Sequence, residues 1–581
     1  MEASLTGKHW RLGPHAEAGV PAPSLCMLLR EERGLTDGGL SELTSPMHLH
    51  DMERAVLRIR RALEVGERIA IFGDYDCDGI TATAQLVRFF RRHGTEPLVR
   101  LPHRARDGYG LGEDIIDEFI AAKVKLLITV DTGIGSAVEI EKAKAADIDV
   151  IVTDHHHVPA RRSTAHDAAA GAFRHAGVPA ELPPAFALVH PSLSRHYPTP
   201  HPSGAGVAFQ LVRALEEKAW PDVETDIALA MIGTIADLVE LRGDNRTLVR
   251  SGLRALAKLQ AGPLRELLSC CDLEPTRVSS TDIAFRVAPR LNAAGRIADA
   301  DLALAALLEG GEALQEICTL NTERQQLTEE IFQMAAADLQ FDGQNFVNLR
   351  PLLASAHEEY PHGIIGLIAG RLTEQSGRPS LLGTFQDELC VASLRSPPTY
   401  HIAEGLERCA HLLERFGGHA QAAGCTLRRE HWPELCRLLE ADVIAQTKSG
   451  DLHPTLEIDG VLSTYDITFR FLESLAALEP FGQGNREPLF LLRNVKLDSV
   501  RCVGREQNHL QARIGNVKTV GFRLGHLYSN CAEVVDIVCR LGIDTWQGAM
   551  QPQVFMIDCR NATTSEAIPK SAPAPLVSQK R

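Results

Sequence analysis

No stretch of the 581 residues approaches the run of about 18 uninterrupted apolar side chains that a membrane-spanning helix needs, so no membrane association is expected. The first residues, Met-Glu-Ala-Ser-Leu-Thr-Gly-Lys, lack a charged start followed by an apolar segment, and the expected location is the cytoplasm. The thirteen cysteines are scattered, with one adjacent pair, Cys270-Cys271, and no C-x-x-C spacing. That excludes a cysteine zinc module or a small disulfide scaffold and leaves reduced, mostly buried thiols. Positive charge is short as well: 60 Lys and Arg against 75 Asp and Glu give a net charge of −15. Such a balance is unusual for a protein that coats nucleic acid indiscriminately. A carboxylate-rich metal site itself adds negative charge, so the deficit weakens a nucleic-acid role without excluding it. No internal repeat is present.

What is there is length and apolar content. A chain that is 44% hydrophobic and well beyond the roughly 250 to 300 residues at which one core stops growing is expected to form several domains. Residues 1–48 read as an N-terminal arm with a helical stretch near Ser24 to Glu32. From 49 to 250, amphipathic helical segments alternate with short β-rich runs: helix Asp51 to Val65, strand 69–72, helix Thr81 to Arg92, strand Pro97 to Leu101. Helix Glu113 to Ala122, strand 126–130, helix Ser136 to Ala146 and strand 150–153 continue the pattern. Runs this short and this apolar predict a parallel α/β sheet covered on both faces, with ligands at the carboxyl ends of its strands. Residues 161–184 are a surface excursion rich in Ala, Pro and Gly. A helical connector, 251–345, includes one long helix from Glu312 to Leu339. A second α/β unit follows at 346–450, then a strand-patterned segment at 451–562 that predicts a small β-barrel. Residues 563–581 are a tail without periodicity, expected to be disordered.

Three of the apolar runs end in residues able to bind metal. Ile69 to Phe72 leads into Asp74-Tyr75-Asp76-Cys77-Asp78-Gly79, Leu126 to Val130 into Asp131-Thr132-Gly133, and Val150 to Thr153 into Asp154-His155-His156. Carboxylates this dense are costly to hold together unless positive charge sits among them. In an extended segment Asp74, Asp76 and Asp78 converge on one face as the chain turns at Gly79. An EF-hand is the rival for this motif alone, but its loop needs a Glu at position twelve, where this chain has Gln85. Asp237 is a lone acid in the otherwise apolar Ala230 to Val239, and burial of such a group is expensive unless it is paired or metal-bound. His155 and His156 broaden the donor set from Mg²⁺ toward Mn²⁺, and His157 is expected to face away. Asp and His ligands in this number suit two metals roughly 3.5 to 4 Å apart, an arrangement fit for phosphoryl-ester hydrolysis. The residues alone leave the substrate open.

The order Asp-Tyr-Asp-x-Asp-Gly, Asp-Thr-Gly, Thr-Asp-His-His, Ala-Asp-Leu-Val, with Phe416-Gly417-Gly418-His419-Ala420-x-Ala422-Ala423-Gly424, resembles the DHH phosphoesterase superfamily. Within it the chain is most similar to the single-strand-specific 5′ to 3′ DNA exonucleases. Supporting stretches are Arg104-x-x-Asp107-Gly108-Tyr109-Gly110, Ser203 to Phe209, Ala288 to Arg296, and Leu478-Glu479-Pro480-Phe481-Gly482-x-Gly484-Asn485-x-Glu487-Pro488. The resemblance implies a DHH domain, a connecting helix, a DHH-associated domain and an OB-fold. It implies two divalent ions, Mn²⁺ or Mg²⁺, on Asp74, Asp76, Asp78, Asp131, His155 and Asp237. Asp131, Asp154 and His156 would be catalytic, His156 either supporting the ligands or polarising the scissile phosphate, and Asp74 either ligating directly or supporting its neighbours. Arg104, Tyr109, Arg290, Asn292, Arg296, Ser393, Arg395, Ser396, Gly418 and His419 would contact DNA and its 5′ phosphate. Ala392 and Leu394 flank Ser393 where the family more often has small residues such as Gly. Five Lys or Arg against one acid between Arg501 and Arg523 suit a single-strand binder. The implied partners of a monomer are single-stranded DNA, a single-strand binding protein and a RecQ-type helicase. Alternatives are a phosphodiesterase for cyclic dinucleotides or short oligonucleotides, and a non-catalytic DNA-binding scaffold.

Overall fold

The computed structural model describes residues 4–104, 106–107, 110–158, 174–175 (backbone), 182–216, 218, 220–342, 349–448, 452–544 and 550–562. It divides into two compact units, one of Met1–Cys26, Thr455–Ala476 and Pro488–Arg581, the other of Met27–Pro454 with Ala477–Glu487.

The larger unit opens on a five-stranded, all-parallel sheet. Its strands lie in the order Leu98–Arg100, Ile69–Gly73, Leu126–Val130, Asp149–Thr153, Ala187–Val189. Continuous apolar runs form these strands because both faces are covered. Ile69, Ile71, Ile128, Val130 and Ile151 pack with the helices Met52–Val65, Cys77–Arg92 and Gly204–Glu216. The alternate residues Ala70, Phe72, Leu127, Val150 and Val152 pack on the other face, with Glu113–Ala121 and Ala137–Ala145. The helix Gly243–Lys258 runs across residue 250, where the sequence suggested a boundary, because Val249 and Leu256 share one core with Met231 and Ile232. Further on, Gly311–Asp338 is a single 28-residue helix.

A second, six-stranded sheet has the order Arg174–His175, Leu413–Gly418, Ala422–Arg428, Leu389–Arg395, Ser380–Gln386, Leu353–His357, with only the last pair parallel. Its first strand comes from the 161–184 excursion and pairs with Arg415 and Phe416. The excursion's sequence also suggests a short helical piece, which lies outside the described residues, as does the 563–581 tail.

In the smaller unit a seven-stranded mixed sheet runs Gly460–Leu462, Phe490–Lys496, Val534–Asp544, Gln551–Asn561, Val517–Gly521, His509–Ile514, Asp498–Val503. The N-terminal segment is not a separate arm. Its strand His9–Leu12 pairs in parallel with Thr455–Ile458, and Trp10 Nε1 donates to the buried Asp558 carboxylate at 2.7 Å. Burying Trp10 and Asp558 together satisfies both polar groups, which explains why these distant segments meet.

Candidate metal centre and phosphate-binding groups

Gly73, Val130 and Thr153 stand in register across three neighbouring strands. The residues that follow, Asp74, Asp131 and Asp154, therefore leave the sheet side by side at its carboxyl edge. Asp131 turns there with φ +60°, a left-handed conformation that Asp tolerates better than most side chains. After the first strand the chain turns earlier than expected. The helix starts at Cys77 rather than Thr81, because Asp76 caps it by accepting from the backbone N–H of Asp78 at 3.0 Å and Gly79 at 3.1 Å. Gly79 is thus the third residue of the helix and not the turn. A Cβ on it would lie 2.6–2.7 Å from the backbone of Asp74.

Backbone donors fix four of the carboxylates. Asp74 Oδ1 accepts from Tyr75 N at 2.7 Å, and Asp76 accepts as the cap. Asp78 accepts from Gly204 N at 2.6 Å and Ala205 N at 3.0 Å, at the start of a helix whose dipole favours a negative charge. Asp154 accepts from the backbone of Ile134, His155 and His156 and from His156 Nδ1 at 2.8 Å. Asp131 and Asp237 accept no side-chain hydrogen bond that involves another described residue. His155 Nε2 lies 3.1 Å from Asp131 Oδ1, 3.6 Å from Asp237 Oδ2 and 3.8 Å from Asp78 Oδ2. Both His155 Nε2 and Asp131 Oδ1 are buried without a hydrogen bond among the described residues.

Burial and mutual repulsion distort the titration of Asp74, Asp78, Asp131 and Asp237. Burial, then the charge of Asp76, pushes Asp74 up to about 8 and Asp78 up to about 6. The same burial, with repulsion from Asp78, raises Asp131 and Asp237 well above the usual carboxylate range. Desolvation holds His155 down at about 3, a neutral imidazole. Burial opposes a charged His156 as well, but Asp154 overrides it and lifts His156 to about 10. Asp154 moves the opposite way: burial would raise it, yet the His156 charge and hydrogen bond hold it below its ordinary value. A neutral imidazole, a buried Asp131 oxygen without a hydrogen bond among the described residues, and carboxylates kept from ionising by burial and by one another form a donor set that fits hard divalent cations. Ligand atoms lie within 4.8 Å of one another in three groups, Asp74/Asp76/Asp131, Asp78/His155/Asp237 and Asp131/His155/His156.

A pH dependence follows. Carboxylates raised in the folded state contribute stability that is full below their unfolded value near 4 and is lost as pH rises through about 6 and then about 8. A cation that binds their ionised forms reverses this loss. The rise in melting temperature on adding Mn²⁺ is therefore expected to grow between about pH 5.5 and about pH 8.5. Calorimetry across that range, with and without Mn²⁺, checks it; a shift that stays flat with pH contradicts it.

Beside the acidic cluster stands a basic one. The Arg104 guanidinium lies 4.0 Å above the ring of Tyr75, between Asp74 and Asp76 in sequence, and its Nε donates to Gly295 O at 3.1 Å. Burial and the charges of Arg104, Arg324 and Arg395 depress Arg296 to about 9. Arg395 donates to Ser393 Oγ at 3.2 Å and to Leu394 O at 2.8 Å. Guanidinium groups gathered around a buried one call for an anion. The other expected contacts divide. Arg290 donates to the carbonyls of Arg286, in the turn before its own helix, and of Cys270, at the end of the helix Pro263–Cys270. Asn292 Oδ1 accepts from Cys77 N at 2.9 Å and so supports the start of the Cys77–Arg92 helix. Ser396 is buried, its hydroxyl donating to Tyr400 O at 2.7 Å. Gly418, at φ +142°, has no room for a Cβ against Ala422 and Ala423. His419, which follows the strand Leu413–Gly418, has its ring centroid 5.0 Å from that of His157. Tyr109 lies outside the described residues.

Sequence reasoning missed several contributors. His190, fully buried, donates from Nε2 to His156 O at 2.8 Å and accepts from Ser192 N at 3.1 Å. Arg324 comes from the long helix, where its periodic setting gave no sign of the other arginines. Gly204 and Gly233 leave space for carboxylates: a Cβ on Gly204 would fall 2.4 Å from Asp131 Oδ1, and one on Gly233 2.5 Å from Asp78 Oδ1.

Family models match three stretches: the DHH family N-terminal domain at 68–235, the DHHA1 domain at 349–444 and the RecJ OB domain at 458–558. Among curated proteins, the single-stranded-DNA-specific exonuclease RecJ of Bacillus subtilis is 32% identical over 89% of this chain, which spans 64% of that relative's length. RecJ of Thermus thermophilus is 32% identical over 91% of this chain and 74% of its own, and RecJ of Escherichia coli 32% over 80% and 81%. Of solved structures, Thermus thermophilus RecJ in complex with Mn²⁺ superposes with a TM-score of 0.78 at 28% identity, covering 96% of this chain and 80% of that one. Its complex with Mg²⁺ gives 0.70 at 26% identity, covering 96% and 79%.

Proposed function

The chain belongs to the RecJ family of DHH phosphoesterases, and from that premise we propose a metal-dependent exonuclease that releases 5′-mononucleotides from the 5′ end of single-stranded DNA during repair and recombination. The observation that carries this reading is the junction at Tyr75: carboxylates flank it in sequence, and Arg104 lies on its ring. A terminal phosphate on Arg104, Arg296 and Arg395 leaves the adjoining phosphodiester beside Asp74 and Asp76, which sets both polarity and one-nucleotide register.

Asp74, Asp76, Asp78, Asp131, His155 and Asp237 are the residues that would hold two divalent ions, Mn²⁺ or Mg²⁺, whose chemistry is to lower the pKa of a water and offset charge on the oxygens of an in-line displacement. The chain's own groups do the positioning. Asp154 keeps His156 protonated through Nδ1, and His156 donates from Nε2 to a non-bridging phosphate oxygen. Arg395 takes two oxygens of the terminal phosphate, a geometry its planar fork favours. In the smaller unit Phe522 is 61% exposed, stacked on Phe555 and edge-on to His509. Such an aromatic beside Arg523 is a platform for unpaired bases. A monomer in the cytoplasm, working with a single-strand binding protein and a RecQ-type helicase, completes the proposal.

Digestion of end-labelled single and double strands in Mn²⁺, Mg²⁺ or EDTA tests substrate, polarity and metal together. Cleavage confined to dinucleotides, or cleavage in EDTA, would sink it. Arg395→Ala is expected to lower kcat/KM on a 5′-phosphorylated strand by about tenfold to a hundredfold, the worth of a charge-assisted pair. A 5′-hydroxyl strand should lose far less; equal losses on both would remove Arg395 from the phosphate site.

A further inference from the structure

Asp237 differs from most of the other carboxylates in having no described donor to fix it, so its place depends on its backbone. It ends the helix Val223–Ala236 and is followed by Leu238 at φ +59°, a costly conformation for a bulky side chain. The turn that then leads to the helix Gly243–Lys258 is held from one side by Asn245, which donates to Glu240 O at 3.1 Å and His201 O at 2.9 Å. From the other side it is held by residues some 240 positions away in sequence. Leu241 N donates to Gln483 O at 2.8 Å, and Arg242 donates through Nε and Nη2 to Gly484 O at 3.3 Å. A Cβ on Gly482 would come within 2.7 Å of Leu241 Cδ1, and one on Gly484, at φ +72°, within 3.1 Å of Glu240 Cβ.

The segment making these contacts is itself rigidly held. Gly482 and Asn485 exchange backbone hydrogen bonds at 2.9 and 3.1 Å. Asn485, buried, donates to Leu478 O and Pro480 O, both at 2.8 Å, and accepts from Arg33 at 2.9 Å. Arg246, without exposed surface, donates to Leu478 O at 3.1 Å and Glu479 O at 2.8 Å, and Ser280 Oγ donates to Phe481 O at 2.7 Å. A charged side chain that is fully buried and satisfied by carbonyls is costly to dislodge.

We propose that Leu478 to Glu487 is a positioning clamp for Asp237, fixing the Val239 to Arg242 turn and so setting the affinity of the cation position that Asp237 shares with Asp78 and His155. This rests on the assignment of Asp237 as a ligand made above. The clamp residues act through the turn.

The test is Mn²⁺ binding to the full-length chain without DNA, followed by electron paramagnetic resonance of the free ion. Asn485→Ala and Gly482→Ala are expected to weaken one of the two Mn²⁺ positions about tenfold and leave the other unchanged. Arg242→Ala, at a partly exposed residue, should do the same to a smaller extent, and Arg242→Lys should restore binding because it keeps a donor to Gly484 O. Binding of single-stranded DNA in EDTA should not change in any of them. Asp237→Asn separates the two ideas. If it weakens Mn²⁺ binding while the clamp variants bind normally, the clamp is wrong and the ligand assignment stands; if Asp237→Asn itself binds Mn²⁺ normally, the ligand assignment falls.

Discussion

Asp131→Asn is expected to reduce exonuclease activity at least about a thousandfold, the loss that follows when several kcal/mol of charge stabilisation in the transition state are removed. Asp131 has this weight because it belongs to the group with Asp74 and Asp76 and also lies 3.1 Å from His155 Nε2, a member of the group with Asp78 and Asp237, so one substitution disturbs both. Asparagine is the right replacement because it keeps the shape and tolerates the left-handed backbone at φ +60°. Alanine at that φ adds a backbone cost of roughly 1–2 kcal/mol and confounds the reading. Single-stranded DNA binding in EDTA should persist, since the arginines and the smaller unit are untouched. Undiminished metal-dependent cleavage by the purified Asp131→Asn protein would refute the site.

Gly204→Ala comes next in size. A single methyl there would sit 2.4 Å from Asp131 Oδ1 and 2.5 Å from its Cβ, far inside van der Waals contact. Gly204 N also donates to Asp78, so any retreat of the backbone loosens a second carboxylate. Activity is expected to fall about a hundredfold, with Mn²⁺ affinity falling alongside it, as small displacements in a positioned site are enough to do. The same change at Gly206, whose Cβ would meet Pro202 and not a carboxylate, serves as the control. Equal effects at both positions would mean that the helix, rather than the carboxylates, was disturbed.

The strand-end carboxylates were legible because they depend on local pattern alone. An apolar run that stops at Asp announces a buried strand with a carboxylate at its carboxyl end, and Asp74, Asp131 and Asp154 each stand there. Asp237 was legible for a related reason, as an acid with no business in an apolar segment. What the chain concealed are contacts between segments far apart in sequence. Nothing in His9–Leu12 announces Thr455–Ile458 as its partner, and nothing in Gly204 announces the oxygen of Asp131. The start of the Cys77–Arg92 helix was hidden for a local reason. Gly79 and two aspartates argue against helix by propensity, while the cap at Asp76 and the donor pair to Asn292 decide otherwise. Asn292 and Ser396 carry the right chemistry for phosphate, and nothing in the sequence signals that Asn292 Oδ1 would accept from Cys77 N or that the Ser396 hydroxyl would donate to Tyr400 O.

The excursion of Ala477–Glu487 into the larger unit means that the chain has no single cut that separates its two halves cleanly. Ending it after Pro454 removes the β-rich sheet, but it also takes away Gln483 and Gly484 from the turn behind Asp237 and the partner of the His9–Leu12 strand. A shortened protein with poor activity would then be misread as one that had only lost its grip on DNA. Dissecting the two functions requires point substitutions within the β-rich sheet, with residues 477–487 left in place.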